Sequence, residues 1–150
     1  MRVSRETRKS RGEVMRRFAT VSILLLLISP ALSADGDANQ GARSFRACAA
    51  CHSLESNRNM TGPSLAGVWH RKAGTEPGFT RYSDVMKRSG VTWDEKTLDA
   101  YLKDPASFMP GNHMTFSGIP DDETRADIVA FLKDESMAKA KPPSKRRCRG

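Results

Sequence analysis

The pentapeptide CAACH at residues 48–52 constrains this chain more than any other part of its sequence. Two cysteines separated by two residues are typical of a thioredoxin-like redox centre, of half a zinc site, or of covalent haem attachment. The redox centre needs a βαβ context, which the sequence lacks, and a zinc site would have to recruit further ligands from His70, His113 and Cys148. Because His52 directly follows the second cysteine, the pattern favours haem attachment, with both sulfurs bound to one porphyrin edge and the imidazole under the iron.

The sequence between residues 34 and 138 predicts an all-α domain of three to five short helices joined by long loops. It shows no period-two alternation that would indicate strands. Such short helices give a thin protein core, which becomes reasonable if the loops wrap around one covalent haem. The helix signals are residues 38–47 after an Asp37 cap, a brief helix at 83–88, a helix from the capping box Thr92-x-x-Glu95 to Asp104-Pro105, and a helix after Asp121 or Asp122 with Ile128, Phe131 and Leu132 on one stripe.

A haem held by His52 leaves a sixth iron position, and its occupant decides the function. A thioether sulfur closes the coordination sphere and favours ferrous iron, which suits an electron carrier, whereas an open position suits a ligand sensor or an enzyme. The candidate thioethers are Met60, Met86, Met109, Met114 and Met137. We favour Met114, because its loop at 104–120 is predicted to be extended, constrained by Pro and Gly, and able to cross the haem. Met109 precedes the Pro110-Gly111 turn and is expected to pack.

Five segments resemble, in order and nearly in spacing, the small soluble class I cytochromes c, most closely the mitochondrial type and its bacterial relatives. The resemblance extends from about Asp37 to Glu135, and the matching segments are CAACHSLES, TGPSLAGVWHRKAG, PGFTRYSDVMKRSGVTW, TLDAYLKDPASFMPGNHMTF and ADIVAFLKDE. It implies the small cytochrome c fold around one covalent haem c, and an electron carrier with no substrate turnover of its own.

The resemblance also implies a role for each matching residue. Cys48 and Cys51 would form the thioether bonds, and His52 and Met114 would ligate the iron. Pro63 would accept a hydrogen bond from the Nδ1–H of His52. Arg71, Tyr82 and Trp93 would hold a buried haem propionate. Phe116 would lie over the exposed haem edge. Gly41 and Phe45 would cross the last helix at Ile128 and Phe131.

The net charge of +8 belongs to the two ends of the chain. Residues 1–33 carry seven Lys/Arg and two Glu, and residues 139–150 carry six Lys/Arg and no acid. Residues 34–138 carry twelve Lys/Arg against fifteen Asp/Glu, so the expected folded body is acidic. This distribution removes the main support for nucleic-acid binding and argues against the acidic docking surfaces that lysine-rich relatives seek.

The two ends are expected to lie outside the haem domain, which we place at residues 34–138. Residues 1–33 predict a secretory signal peptide, since basic residues precede an apolar run that ends in small residues suited to cleavage before Ala34. An uncleaved membrane anchor is the alternative, and Met15 is an alternative translation start. Residues 139–150 predict a basic disordered tail, whose Cys148 has no assigned chemistry.

We therefore expect a monomeric carrier of single electrons in the periplasm, without tight membrane insertion once the signal is cleaved. Its expected partners are respiratory or photosynthetic membrane complexes or periplasmic oxidoreductases. The alternative function is a haem enzyme or ligand sensor with a labile sixth position. His113 stands beside Met114 where many relatives carry lysine, and we expect it to be the competing ligand if Met114 is displaced at raised pH.

Overall fold

The computed structural model describes residues 35–140, which form an all-α fold. Both the predicted signal peptide and residues 141–150 of the predicted tail lie outside this range. No strand forms within residues 35–140, where the one isolated backbone bridge joins Lys72 to Thr92. The helices are α1 (Ala38–Ser44), which continues as the 3-10 helix Phe45–Ala50, α2 (Asp84–Arg88), α3 (Glu95–Lys103), α4 (Pro105–Phe108) and α5 (Asp122–Ala140).

Three helices begin after a side-chain cap, and two of these caps, Asp37 and Asp121, are predicted from the sequence. The side chains of Asp37, Ser83 and Asp121 accept hydrogen bonds from backbone N–H groups in the first turns of α1, α2 and α5. Helix α1 is shorter than predicted, since the chain tightens into the 3-10 helix from Phe45. Helix α5 continues through Ala140, two residues into the segment assigned to the tail.

The predicted capping box of α3, Thr92-x-x-Glu95, is wrong by two residues. Asp94 is the N-cap, and its carboxylate accepts from the backbone N–H of Thr97, whose hydroxyl in turn accepts from the N–H of Asp94, both at 2.8 Å. Trp93, which would be the first helical residue after a Thr92 cap, is instead held by backbone hydrogen bonds to His70 and Arg71. The start of α3 is therefore set by the local capping box of Asp94 and Thr97, together with backbone contacts from residues 70–73 that the local sequence does not indicate.

The predicted extended loop at residues 104–120 contains one further helix. Pro105 opens α4 at its first position, where a missing N–H costs nothing, and the Asp104 carboxylate caps it by accepting from the N–H of Ser107. Helix α4 ends at Phe108, and Met109 is buried directly after it, as predicted. The remainder of the segment, residues 111–121, has no helix or strand.

The crossing of α1 and α5 closes the fold and confirms the predicted contact. A Cβ on Gly41 would lie 2.0 Å from the carbonyl oxygen of Asp127, so only glycine permits this approach. One turn later the rings of Phe45 and Phe131 pack with their centroids 5.3 Å apart. Ile128, at 2 % exposure, fills the space beneath the crossing. None of the helices among residues 35–140 is long and apolar enough to cross a membrane.

Candidate functional site

A cavity of about 540 Å³ lies among the 3-10 helix, α3, α5 and the long loops. Its lining is mostly apolar, with contributions from Phe45, Leu65, Val68, Met86, Leu98, Leu102, Ile128 and Leu132. All nine residues that the sequence proposes for the site line it: Cys48, Cys51, His52, Pro63, Arg71, Tyr82, Trp93, Met114 and Phe116. Residues separated by more than sixty positions in the chain therefore line one cavity.

The cysteine pair enters the cavity through a single turn. The carbonyl oxygen of Cys48 accepts from the N–H groups of Cys51 and His52 at 3.0 and 2.9 Å, which closes the chain tightly after the 3-10 helix. Cys48 and Cys51 are not joined by a disulfide. Burial, followed by the neighbouring Cys51, raises the pKa of the Cys48 thiol, whereas a redox-exchanging dithiol needs a thiol with a lowered pKa.

His52 has one ring nitrogen committed to a hydrogen bond and the other free. Its Nδ1–H donates to the carbonyl oxygen of Pro63 at 2.8 Å, which fixes the ring and leaves Nε2 with its lone pair. Burial lowers the pKa of the imidazole, and this favours the neutral form that binds metals. A Cβ on Gly62 would lie 2.3 Å from Cε1 of the ring, so the loop shapes a place for this imidazole that any larger residue would fill.

Met114 reaches the cavity from the segment after α4 and is oriented by two polar neighbours. The hydroxyl of Tyr101 lies 3.4 Å from the Met114 sulfur, within hydrogen-bonding distance. The Asn112 side-chain oxygen accepts from the backbone N–H of Met114 at 2.8 Å and lies 3.3 Å from the Tyr101 hydroxyl, whose single hydrogen it shares with the Met114 sulfur. Its amide nitrogen donates to the carbonyl oxygens of Pro105 and Met109. Burial, followed by Tyr82, raises the pKa of Tyr101 to about 12, so it is a neutral donor.

One wall of the cavity carries a polar group around Arg71. Its guanidinium donates to the carbonyl oxygens of Ser64 and Ala66, both at 2.8 Å, and forms an ion pair with Glu76. The hydroxyl of Tyr82 accepts from the backbone N–H of Glu76 at 3.4 Å. Two of the three predicted propionate-binding residues, Arg71 and Tyr82, are thus joined through Glu76, which the sequence does not predict as a partner.

The mouth of the cavity is formed by exposed and half-buried residues. Arg81 donates to the carbonyl oxygens of Met60 and Thr61, and its own carbonyl oxygen lies 3.2 Å from Nδ1 of His113. Phe116 is half-buried at the same side. Hydrogen bonds at Arg81 therefore join the segment that follows His52 in the chain to the segment that carries Met114.

Three residues of this site are not predicted as site residues from the sequence: Tyr101, Asn112 and Glu76. Tyr101 carries the clearest signal, because a tyrosine on the buried face of α3 must find a partner for its hydroxyl. Asn112 in a Pro-Gly turn indicates a side chain that hydrogen-bonds to nearby backbone. Glu76 gives no local signal, since its partner is brought close by the turn at residues 72–79.

The donor set fits a covalently attached haem. Two thiols on one turn, an imidazole with a free Nε2 and a thioether all line one apolar cavity. Within residues 35–140, no three His, Cys, Asp or Glu side chains come together as a group of metal ligands.

Comparison with known proteins gives concordant results. The family model described as Cytochrome c matches residues 38–136. The chain is 52 % identical over 89 residues to cytochrome c2 iso-2 of Magnetospirillum fulvum, a match that covers 59 % of this chain and 92 % of the relative. It is 44 % identical over 108 residues to cytochrome c2 of Rhodomicrobium vannielii, a match that covers 71 % of this chain and 86 % of the relative. The solved structure of cytochrome cH from Methylobacterium extorquens superposes with a TM-score of 0.62 at 43 % identity. The superposition covers 66 % of this chain and 99 % of that structure's chain.

Proposed function

The chain belongs to the cytochrome c family, and we propose that it carries single electrons in the periplasm with its haem iron held between His52 and Met114. The family carries covalent haem c, and Cys48 and Cys51 stand at the attachment positions of the motif. The chain is accordingly an electron-transfer protein and not an enzyme.

One observation supports the proposed ligation above all others. His52 and Met114 line the same cavity, and each is oriented by a hydrogen bond to a group that is not itself a ligand: Pro63 for the imidazole and Tyr101 for the sulfur. Oriented ligands on both sides of an iron favour a six-coordinate centre, because neither side chain must reorganise when the charge of the iron changes. Such a centre suits electron transfer and leaves no open position for a substrate.

The other residues of the site tune the reduction potential and exclude water from the metal. Haem iron, when bound, supplies the one-electron couple. The thioether of Met114 is a soft donor that favours the ferrous state and raises the potential. Leu65, Val68 and Leu98 line the cavity with hydrocarbon, which keeps water away from the metal and favours the less charged ferrous centre.

We propose that the polar wall holds a haem propionate. Arg71 keeps donors beyond those used for Ser64 and Ala66, and Tyr82 offers a hydroxyl hydrogen while its oxygen accepts from the backbone of Glu76. Trp93, buried at 7 % exposure, would contribute its indole N–H. A carboxylate removed from water needs such donors. Phe116 at the mouth would shield the haem edge through which electrons enter and leave.

The location and the partners are proposed from charge and from the amino-terminal segment. Residues 1–33 have the pattern of a secretory signal, which supports the periplasm. Residues 34–138 carry fifteen acids against twelve bases, which favours neutral or basic docking surfaces on membrane electron-transfer complexes or periplasmic oxidoreductases. The same acidic balance disfavours nucleic acid as a partner. We propose that the carrier is a monomer.

A single preparation tests this proposal. The chain is expressed with a haem-maturation system, and the periplasmic fraction is examined by amino-terminal sequencing, absorption spectroscopy and carbon monoxide addition. We expect a mature chain that begins at Ala34, a ferric red-region band from iron–methionine ligation, and a reduced spectrum that carbon monoxide leaves unchanged at neutral pH. Rapid carbon monoxide binding would instead identify a haem enzyme or ligand sensor with a labile sixth position.

A further inference from the structure

Glu76 is a buried carboxylate to which the proposed function assigns no role. It lies in the turn between Gly74 and Gly78, both of which have positive φ angles that place the turn against the body of the protein. Its side chain is only 5 % exposed and forms an ion pair with Arg71, whose side chain is 16 % exposed. A charge this deeply buried is retained in a fold only when it is paired, so Glu76 depends on Arg71.

Arg71 is the cationic group of the cavity wall, and its contacts define where its charge lies. Two carbonyl oxygens, those of Ser64 and Ala66, fix the guanidinium at 2.8 Å each, and Glu76 takes a further N–H. The guanidinium of Arg71 therefore lines the cavity and at the same time contacts the carboxylate of Glu76. This wall carries a neutral pair instead of a free positive charge.

The field of this pair reaches other groups that line the cavity. Tyr82 is such a group, and burial raises the pKa of its hydroxyl. The charge of Arg71 lowers the pKa of Tyr82 and the charge of Glu76 raises it, so the two charges have opposite effects at the cavity. Removal of either charge would leave the other without compensation in a site of low dielectric constant.

We propose that Glu76 sets the reduction potential of the haem by offsetting the charge of Arg71. A negative charge beside the haem stabilises ferric iron, which is the more positive state, and so lowers the midpoint potential. Without Glu76, the positive charge of Arg71 is offset only by the haem propionate proposed above, and the cavity favours the ferrous state more strongly. This inference rests on the proposed electron-carrier function, and it makes Glu76 a tuning residue that touches neither the iron nor its ligands.

The test compares two substitutions that remove the same charge from different places. Glu76→Gln keeps the size of the side chain and a hydrogen-bond acceptor for Arg71. Glu55→Gln is the matched control, because Glu55 is paired with Arg58 on the surface, where their side chains are 69 % and 60 % exposed. The holoproteins are titrated against a redox mediator at pH 7. We expect Glu76→Gln to shift the exchange equilibrium toward the ferrous protein by about threefold or more, and Glu55→Gln to leave it near the parent value.

Two further variants separate charge from packing. Glu76→Asp keeps the charge and should keep the potential, whereas Glu76→Ala removes it and should raise the potential even if the protein is less stable. The proposal is overturned if Glu76→Gln shifts the equilibrium no more than Glu55→Gln, or if Glu76→Asp shifts it as much as Glu76→Ala. A purely structural residue would lower the denaturation midpoint in all three variants without this order of potentials. Absence of the iron–methionine band in the parent protein would count against the proposed ligation and not against the role of Glu76.

Discussion

The hydroxyl of Tyr101 lies 3.4 Å from the sulfur of Met114 and 3.3 Å from the side-chain oxygen of Asn112. One buried hydroxyl thus stands between the proposed iron ligand and the residue that braces its loop. A hydrogen bond to a thioether withdraws electron density from the sulfur, and this makes the sulfur a weaker donor to ferric iron.

We expect Tyr101→Phe to lower the midpoint potential, because the sulfur regains the electron density that the hydroxyl withdrew and stabilises ferric iron. The iron–methionine band should remain, since phenylalanine keeps the ring packed against Trp93 and Phe108. Voltammetry and absorption spectra of the two holoproteins measure both quantities. A higher potential with the band intact would contradict the role given to this hydroxyl.

Asn112→Ala removes the side chain that ties the Met114 segment to the end of α4. Its amide donates to the carbonyl oxygens of Pro105 and Met109 at 2.8 and 3.0 Å, and its oxygen accepts from the Met114 N–H. Loss of these hydrogen bonds should lower the free energy needed to open the Met114 segment by about 1–2 kcal/mol. Imidazole should then bind to the ferric protein roughly tenfold faster, as followed by stopped-flow absorption. Ser117→Ala, at an exposed position of the same segment, is the control and should bind imidazole at the parent rate.

Gly62→Ala tests the place that the loop leaves for the imidazole. A Cβ there would meet Cε1 of His52 at 2.3 Å, so the ring must move or the loop must open. We expect poor yield of haem-loaded protein and a fall in thermal midpoint of several degrees, about 2 kcal/mol or more. Gly67→Ala is the control: its φ of +62° carries strain of about 1 kcal/mol, but no atom lies within 4 Å of the added carbon. Equal damage from both substitutions would show that contact with the ring is unimportant.

Acid should weaken the fold partly through the cap of α3. Hydrogen bonds from the backbone and side chain of Thr97 lower the pKa of Asp94 below its ordinary value of 3.8. A carboxyl with a lowered folded-state pKa stabilises the protein above pH 3.8, and this stabilisation is lost as the pH falls through the lower folded value. Asp94→Asn should therefore lower the guanidinium denaturation midpoint at pH 6 and have a smaller effect at pH 3. An effect of equal size at both pH values would exclude a contribution from the charge.

The features that the sequence predicts correctly are mostly local. Helix caps such as Asp37 and Asp121 act on backbone only two or three residues away, and the CAACH motif fits its cysteines and histidine into one turn. The close approach at Gly41 is also predictable, because the resemblance to class I cytochromes c indicates the partner helix.

Most features that the sequence does not predict depend on how the loops between the helices fold. Helix α3 is capped by Asp94 and not by Thr92, because backbone hydrogen bonds to His70 and Arg71 hold Trp93 outside the helix. Glu76 is an ordinary acidic residue in sequence, and only the folded turn brings it to Arg71. Helix α4 is different, since Pro105 after Asp104 is a local start signal that the prediction of an extended loop overlooked.

The identity of the second iron ligand is the central claim, and Met114→Leu tests it most directly. Met60→Leu is the matched control, since Met60 is half-buried and does not line the cavity. Absorption spectra and midpoint potentials of both holoproteins are compared with those of the parent at pH 7. Our account predicts that Met114→Leu loses the red-region iron–methionine band, lowers the potential and binds carbon monoxide rapidly when reduced, while Met60→Leu behaves as the parent does. An unchanged band and potential in Met114→Leu would contradict it.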